Sequence, residues 1–147
     1  METIVTLAKH PRIVGIKEAT GNMKFFDEIK AGVKKDFILL SGDDASCVEF
    51  CNKGGHGVIS VISHLMAKEL VNLVEQARQG DSTAQKKYEK YSRLLGLTYI
   101  ESNPIPVKAA LFLQKVIRSS ELRLPLVSLK EEYSVKFQEE LQKLDLI

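Results

Sequence analysis

Three short, continuously apolar runs alternate with helical patterns in the first 80 residues, and this alternation constrains the fold most. The apolar runs lie at about residues 12–18, 37–40 and 57–62. Apolar residues at helical spacing follow each run, over about residues 23–36, 45–53 and 65–79. Runs that are apolar on both faces are typical of parallel strands, each joined to the next by a crossing helix. The sequence therefore predicts an α/β fold made of βα units.

The rest of the chain reads as helix. One helical pattern ends before Pro11, and three more follow Gly80, at about residues 81–95, 106–117 and 129–144. We therefore divide the chain into a βα part, residues 1–80, and a helical region, residues 81–147. Three strands cannot close a barrel, which needs about eight. The residues alone leave two alternatives, a small open sheet with a helical tail or part of a larger fold.

A lysine ends the first apolar run. Side chains alternate along a strand, so Gly15 and Lys17 share one face while Ile16 and Glu18 share the other. Apolar neighbours would lower the pKa of the Lys17 ammonium and favour the nucleophilic amine, which forms Schiff bases with ketones and aldehydes. The alternative, which this segment alone favours, is a strand-end lysine that extends into water.

The carboxyl ends of parallel strands form the rim where ligands bind in α/β folds. The residues predicted there are Lys17–Thr20, Ser41–Asp44 and Ile59–Ser60. Asp43 and Asp44 could form an acid–base or magnesium pair. Adjacent strand residues point to opposite faces, however, so we expect at least one of them to cap the next helix instead, with Asp44 as the predicted cap.

Composition excludes several classes of function. The net charge is +2, from 21 basic and 19 acidic residues, and no basic patch indicates a nucleic-acid surface. No apolar run is long enough to span a bilayer, and the first residues do not resemble a signal peptide, so we expect a cytoplasmic protein without membrane contact.

The cysteines and histidines do not indicate a metal site. Cys47 and Cys51 are expected to be buried apolar residues, because no histidine or cysteine follows at zinc-ligand spacing. His56 comes before the third strand, away from the rim, so its predicted role is structural. No cofactor and no metal are predicted.

Four stretches together resemble the dihydrodipicolinate synthase family, and the resemblance covers all 147 residues. They are Gly15-Ile16-Lys17-Glu18-Ala19-Thr20-Gly21-Asn22, Leu40-Ser41-Gly42-Asp43-Asp44, Gly54-Gly55-His56-Gly57-Val58-Ile59-Ser60-Val61 and Asn103-Pro104-Ile105-Pro106-Val107-Lys108. Each motif is weak alone, but their shared order and spacing are specific.

The resemblance implies a pyruvate-dependent class I aldolase on a (β/α)₈ TIM barrel followed by a C-terminal helical layer. Such enzymes condense pyruvate with aspartate semialdehyde on the route to diaminopimelate and lysine. By resemblance, Lys17 is the Schiff-base nucleophile, the backbone carbonyl of Ile59 faces the active site, and Gly42 lies beside the pyruvate pocket.

The family's chain extends well upstream of the part that this sequence matches, and the upstream part carries five strands, a proton relay and a carboxylate-binding arginine. We therefore expect a fragment, a truncated product or half of a split enzyme. Its exposed interior and strand edges favour a homo-oligomer or pairing with an N-terminal half. Two alternatives stay open, a catalytically inactive interaction subunit and a sibling aldolase such as N-acetylneuraminate lyase.

Overall fold

A computed structural model describes all residues, 1–147, and contains three strands and eight α-helices. The strands are β1 (Gly15–Glu18), β2 (Ile38–Ser41) and β3 (Gly57–Val58). The helices are α1 (Glu2–Leu7), α2 (Met23–Gly32), α3 (Cys47–Asn52), α4 (Ser63–Arg78), α5 (Ala84–Tyr88), α6 (Ser92–Thr98), α7 (Ile105–Leu113) and α8 (Glu131–Lys143), with a 3₁₀ turn at Glu89–Tyr91.

The strands form one parallel sheet in the order β1-β2-β3, which confirms the predicted βα alternation. Lys17 is in register with Leu40, and Leu40 with Gly57. Gly15 is required by the close approach of the first two strands, because a Cβ atom there would lie 2.5 Å from the carbonyl oxygen of Ile38.

Residues 1–60 and 71–88 form one compact unit, in which helices cover one face of the sheet. Leu39 and Ser41 point into this covered side and are buried. Phe26 of α2 and Phe50 of α3 are also buried there, with ring centroids 4.1 Å apart. The apolar spacing of the two helices therefore places their large side chains in the core.

The opposite face of the sheet has no covering layer. Lys17 is exposed, and Ile38 and Ile59 are 40% and 54% exposed. The strand register and the alternation of side chains along each strand place these three residues on one face. In a closed barrel this face would point into the interior.

His56 has the predicted structural role beside β3. Its backbone N–H donates to the carbonyl oxygen of Leu39 at 2.8 Å, and its Nδ1 accepts from the N–H of Leu39 at 3.0 Å. The imidazole thus accepts a hydrogen bond from the Leu39 N–H, in place of a backbone carbonyl of a neighbouring strand.

Residues 61–70 and 89–147 form the second compact unit. Its core includes Leu94 of α6, Ala110 of α7, and Phe137 and Leu141 of α8. Glu140 of α8 is fully buried and forms an ion pair with Arg93, from Oε2 to Nε at 3.3 Å. The division at residues 80 and 81 made from the sequence stays a prediction.

Several boundaries differ from the sequence prediction. The third strand covers only residues 57–58, because the chain turns into α4 soon after Ile59. The helix predicted for residues 81–95 is split into α5, the 3₁₀ turn and α6. The helix predicted for residues 106–117 ends at Leu113, shortly before Lys115 adopts a positive φ of 59°. No helix is both long and apolar enough to cross a membrane.

Candidate active site

Lys17 stands at the carboxyl end of β1, as the sequence predicted, and it is exposed. The exposure agrees with the alternative that this segment alone favoured, a strand-end lysine extending into water, and apolar neighbours do not enclose the side chain. The reason is geometric, since Lys17 projects from the sheet face that no other layer covers in this chain.

The stem of Lys17 nevertheless has a close neighbour, Gly42, immediately after β2. A Cβ atom placed on Gly42 would lie 3.1 Å from both Cγ and Cδ of Lys17, and 2.8 Å from Cβ of Ala19. Glycine at this position therefore leaves room for the lysine stem to lie directly against the backbone.

Backbone hydrogen bonds hold Gly42 beside β1. Its N–H donates to the carbonyl oxygen of Glu18 at 2.6 Å. Glu18 itself is buried on the covered face, and its Oε1 accepts from the N–H of Thr20 at 2.6 Å. The ends of β1 and β2 are thus tied together immediately beside Lys17.

The loop after β2 is closed by its own side chains. Ser41 Oγ accepts from the N–H of Asp43 at 3.2 Å and donates to its carbonyl oxygen at 3.0 Å. Asp43 Oδ2 accepts from the N–H of Ser46 at 2.9 Å and from its hydroxyl at 2.6 Å. This network fixes the path of the chain from β2 to α3.

The prediction that Asp44 caps α3 was wrong, because the N-cap residue of that helix is Ser46. Asp43 lies half-buried at the rim, where it reaches the N–H of Ser46, whereas Asp44 is buried. The N-cap Ser46 makes no side-chain cap hydrogen bond, so the expectation that at least one of the two aspartates caps α3 is not confirmed. Asp43 instead holds the loop before the helix.

Ile59 extends the bonding of β3 by one residue. Its N–H donates to the carbonyl oxygen of Ser41 at 2.8 Å. The end of the third strand is therefore fixed to the same β2 residue whose hydroxyl organises the rim loop. Lys17, Gly42 and Ile59 thus lie at the carboxyl ends of three neighbouring strands.

A buried cluster that the sequence analysis missed supports the rim from behind. Tyr88 of α5 donates its hydroxyl to the carbonyl oxygen of Asp44 at 2.9 Å, and Cys47 Sγ donates to the Tyr88 oxygen at 3.7 Å. Burial raises the pKa of the Cys47 thiol to about 12. No local pattern could reveal a contact between residues 44 positions apart.

Both cysteines are buried and neither is in a disulfide, as expected. No group of three or more histidine, cysteine or acidic residues is arranged to hold a metal ion. The motif that ends in Lys108 belongs to the second unit, where Pro106 lies in the first turn of α7 and Lys108 Nζ donates to the carbonyl oxygen of Glu121.

Three parallel βα units followed by a run of helices define the chain as part of a (β/α)₈ barrel with a C-terminal helical region. The model of the dihydrodipicolinate synthetase family matches residues 1–144, and the chain belongs to that family.

Sequence relatives agree with this assignment. The 4-hydroxy-tetrahydrodipicolinate synthase of Bdellovibrio bacteriovorus is 44% identical over 146 residues, covering 99% of this chain and 50% of that protein. The enzyme of the same name from Blochmanniella pennsylvanica is 46% identical over 130 residues, covering 88% and 44%.

Solved structures show the same relationship. The dihydrodipicolinate synthase of Aquifex aeolicus superposes with a TM-score of 0.92 at 35% identity, covering 99% of this chain and 50% of that one. The chloride-inhibited enzyme from Acinetobacter baumannii, complexed with pyruvate, has a TM-score of 0.93 at 33% identity, with the same coverage. The chain thus spans about half the length of the relatives it matches.

Proposed function

We propose that this chain supplies the Schiff-base part of a 4-hydroxy-tetrahydrodipicolinate synthase, with Lys17 as the nucleophile. The reaction condenses pyruvate with aspartate semialdehyde on the route to diaminopimelate and lysine. The observation that carries the proposal is the strand-end Lys17, supported along its stem by Gly42, in a chain that belongs to this family. A cytoplasmic location and the absence of a metal or cofactor are part of the same proposal.

The chemistry begins with the neutral Lys17 amine. Its nitrogen attacks the ketone carbon of pyruvate, and loss of water gives an iminium ion. The positive nitrogen then accepts electron density as a proton leaves the pyruvate methyl group, which produces an enamine. The enamine carbon attacks the aldehyde carbon of aspartate semialdehyde, the aldehyde oxygen takes up a proton, and the iminium returns as the new carbon–carbon bond forms. Attack of the amino group of aspartate semialdehyde on this iminium then closes the product ring and releases Lys17 as the free amine.

Gly42 and Ile59 have supporting roles in this proposal. Gly42 leaves space beside Lys17, so pyruvate can approach the backbone where a side chain would otherwise stand. Ile59 would direct its backbone carbonyl toward the bound substrate. A related structure is complexed with pyruvate, which supports pyruvate as the first substrate.

An active form needs a cover over the open sheet face. Exposed Ile38 and Ile59 share that face with Lys17, and water around an amine favours its charged form. We infer that a polypeptide equivalent to the N-terminal part of the relatives, or another copy of this chain, covers this face. Covering it would bury the apolar side chains and enclose the lysine.

Product formation tests this proposal directly. The purified chain is assayed with pyruvate and aspartate semialdehyde, alone and together with the N-terminal half of the Bdellovibrio bacteriovorus relative. We expect condensation to be enhanced by the added half and absent in a Lys17→Arg variant. Condensation that is unaffected by Lys17→Arg would rule out the proposed nucleophile.

The same assay separates the two alternatives. Replacing aspartate semialdehyde with the aldehyde partner of N-acetylneuraminate lyase would reveal that sibling activity. The inactive interaction subunit is favoured by the exposure of Lys17, and it predicts specific assembly with the added half without any reaction.

A further inference from the structure

The hydroxyl of Tyr88 reaches from α5 to the loop that follows β2. Tyr88 is 1% exposed, and its hydroxyl donates to the carbonyl oxygen of Asp44 at 2.9 Å. Asp44 stands two residues after Gly42, and both Asp44 and Cys47 are buried around this contact. A hydrogen bond formed in such surroundings is stronger than one in water, so it restrains the backbone that it joins.

The restrained backbone continues to Lys17 through two short contacts. The N–H of Gly42 donates to Glu18 at 2.6 Å, and the Gly42 backbone supports Cγ and Cδ of Lys17. The loop itself is internally closed by Ser41, Asp43 and Ser46, so a displacement at Asp44 is transmitted to Gly42.

We propose that Tyr88 is a positioning residue for Lys17, which acts by holding the Asp44 carbonyl and thereby the Gly42 backbone under the lysine stem. The consequence for imine formation rests on the proposed function, whereas the restraint on Gly42 does not. Tyr88 does not contact the reacting atoms in this proposal.

The variant Tyr88→Phe removes the hydroxyl and keeps the ring in its buried site. Tyr133→Phe is the matched control, since it makes the same chemical change on α8 of the other unit. The first measurement is amide hydrogen exchange in the full chain. We expect Gly42 to exchange about tenfold faster in Tyr88→Phe, while the amide of Phe26, buried in the same unit, changes less.

The Phe26 amide separates a local effect from a general loss of stability. Equal acceleration at Gly42 and Phe26 would identify Tyr88 as a structural residue and would overturn the inference. Unchanged exchange at Gly42 would overturn it as well, whatever the outcome with pyruvate.

The second measurement is the rate at which pyruvate is trapped on Lys17 with borohydride, in the chain mixed with the N-terminal half of the Bdellovibrio bacteriovorus relative. We expect the maximal rate to fall several-fold in Tyr88→Phe, because small misplacements of a nucleophile cost large factors in rate. The half-saturating pyruvate concentration stays within about twofold of the wild-type value, since a shift in attack geometry alters the transition state more than substrate binding.

A double variant tests the route through Gly42. If Tyr88 acts on Lys17 through that backbone, Tyr88→Phe added to Gly42→Ala lowers the trapping rate little further. If the rate losses of the two single variants multiply in the double variant, Tyr88 does not act on Lys17 through the Gly42 backbone. If Tyr88→Phe forms the adduct at the wild-type rate, the inference on Tyr88 is contradicted and the proposed function is not affected. A wild-type chain that forms no adduct even when mixed with the N-terminal half of the Bdellovibrio bacteriovorus relative contradicts the proposed function, and with it the consequence for Lys17.

Discussion

The backbone of Gly42 lies close to the aliphatic stem of Lys17, and a side chain at position 42 would crowd both that stem and Ala19. The nearest atoms to an added Cβ would be Cβ of Ala19, at 2.8 Å, and Cγ and Cδ of Lys17, at 3.1 Å. The Cβ of Ala19 is not the end of a flexible side chain, so an added methyl group forces the backbone beside Lys17 to shift, while the lysine stem moves by a smaller amount.

Gly42→Ala is therefore expected to slow the reaction at Lys17 and also to lower stability. We expect the rate of pyruvate trapping to fall by about tenfold or more, with a loss of about 1–3 kcal/mol in the free energy of unfolding. Gly57→Ala is the control on the same sheet face, because its Cβ would lie at an ordinary 3.6 Å from Leu40. Equal effects of the two variants would contradict a specific role for Gly42.

Because the Cys47 thiol is buried, we expect the free energy of unfolding to decrease at alkaline pH. The pKa of this thiol is raised from 9.0 to about 12, chiefly by burial. The thiol of the unfolded chain releases its proton first as pH rises, so the unfolded state binds fewer protons and the free energy of unfolding decreases between these two values. Below the unfolded-state pKa this contribution to stability is fully present.

Chemical unfolding at several pH values measures this effect. Cys47→Ala should flatten the alkaline decline relative to the wild type. Cys51→Ala should flatten it less, because the pKa of the Cys51 thiol is raised only to about 11. An alkaline decline that is the same in Cys47→Ala and the wild type would exclude the thiol as its source.

The ion pair between Arg93 and Glu140 makes the second unit sensitive to loss of one charge. Glu140 is fully buried and Arg93 is half-exposed, with Nε and Oε2 separated by 3.3 Å. Arg93→Met leaves a buried carboxylate without this partner and should lower the free energy of unfolding by about 1–3 kcal/mol. Adding Glu140→Leu should restore most of the loss, because it removes the buried charge.

Glu139→Gln provides the control on the same arginine. Glu139 is exposed and meets the Arg93 guanidinium at 3.2 Å, so we expect this variant to change stability by less than about 0.5 kcal/mol. A comparable loss in Glu139→Gln and Arg93→Met would show that the buried pair has no special importance. Thermal or denaturant unfolding measures all three variants.

The fold follows from local patterns more completely than the candidate site does. Alternating apolar runs and helical spacing predict the parallel sheet, and strand alternation places Lys17 and Gly15 on one face. The helix start at α3 depended on loop geometry, which placed Asp43 rather than Asp44 at the N–H of Ser46. A sequence pattern does not determine which of two adjacent carboxylates reaches a particular amide.

Two features of the site depend on tertiary structure, so local sequence patterns could not determine them. The exposure of Lys17 depends on which segments cover the sheet, because strand alternation assigns a face but not its neighbours. The hydrogen bond from Tyr88 to Asp44 joins α5 to the rim, although the helical spacing around Tyr88 predicts only that its ring is buried.

Borohydride trapping with pyruvate, followed by mass spectrometry of the peptides, tests the central claim most directly. For the chain mixed with the N-terminal half of the Bdellovibrio bacteriovorus relative, the account predicts that the reduced three-carbon adduct concentrates on Lys17, far above the level at exposed Lys35. The adduct should disappear from that peptide in Lys17→Arg, while the labelling of the other lysines is unchanged. Equal labelling of Lys17 and Lys35, or an adduct that concentrates on another lysine, would contradict it.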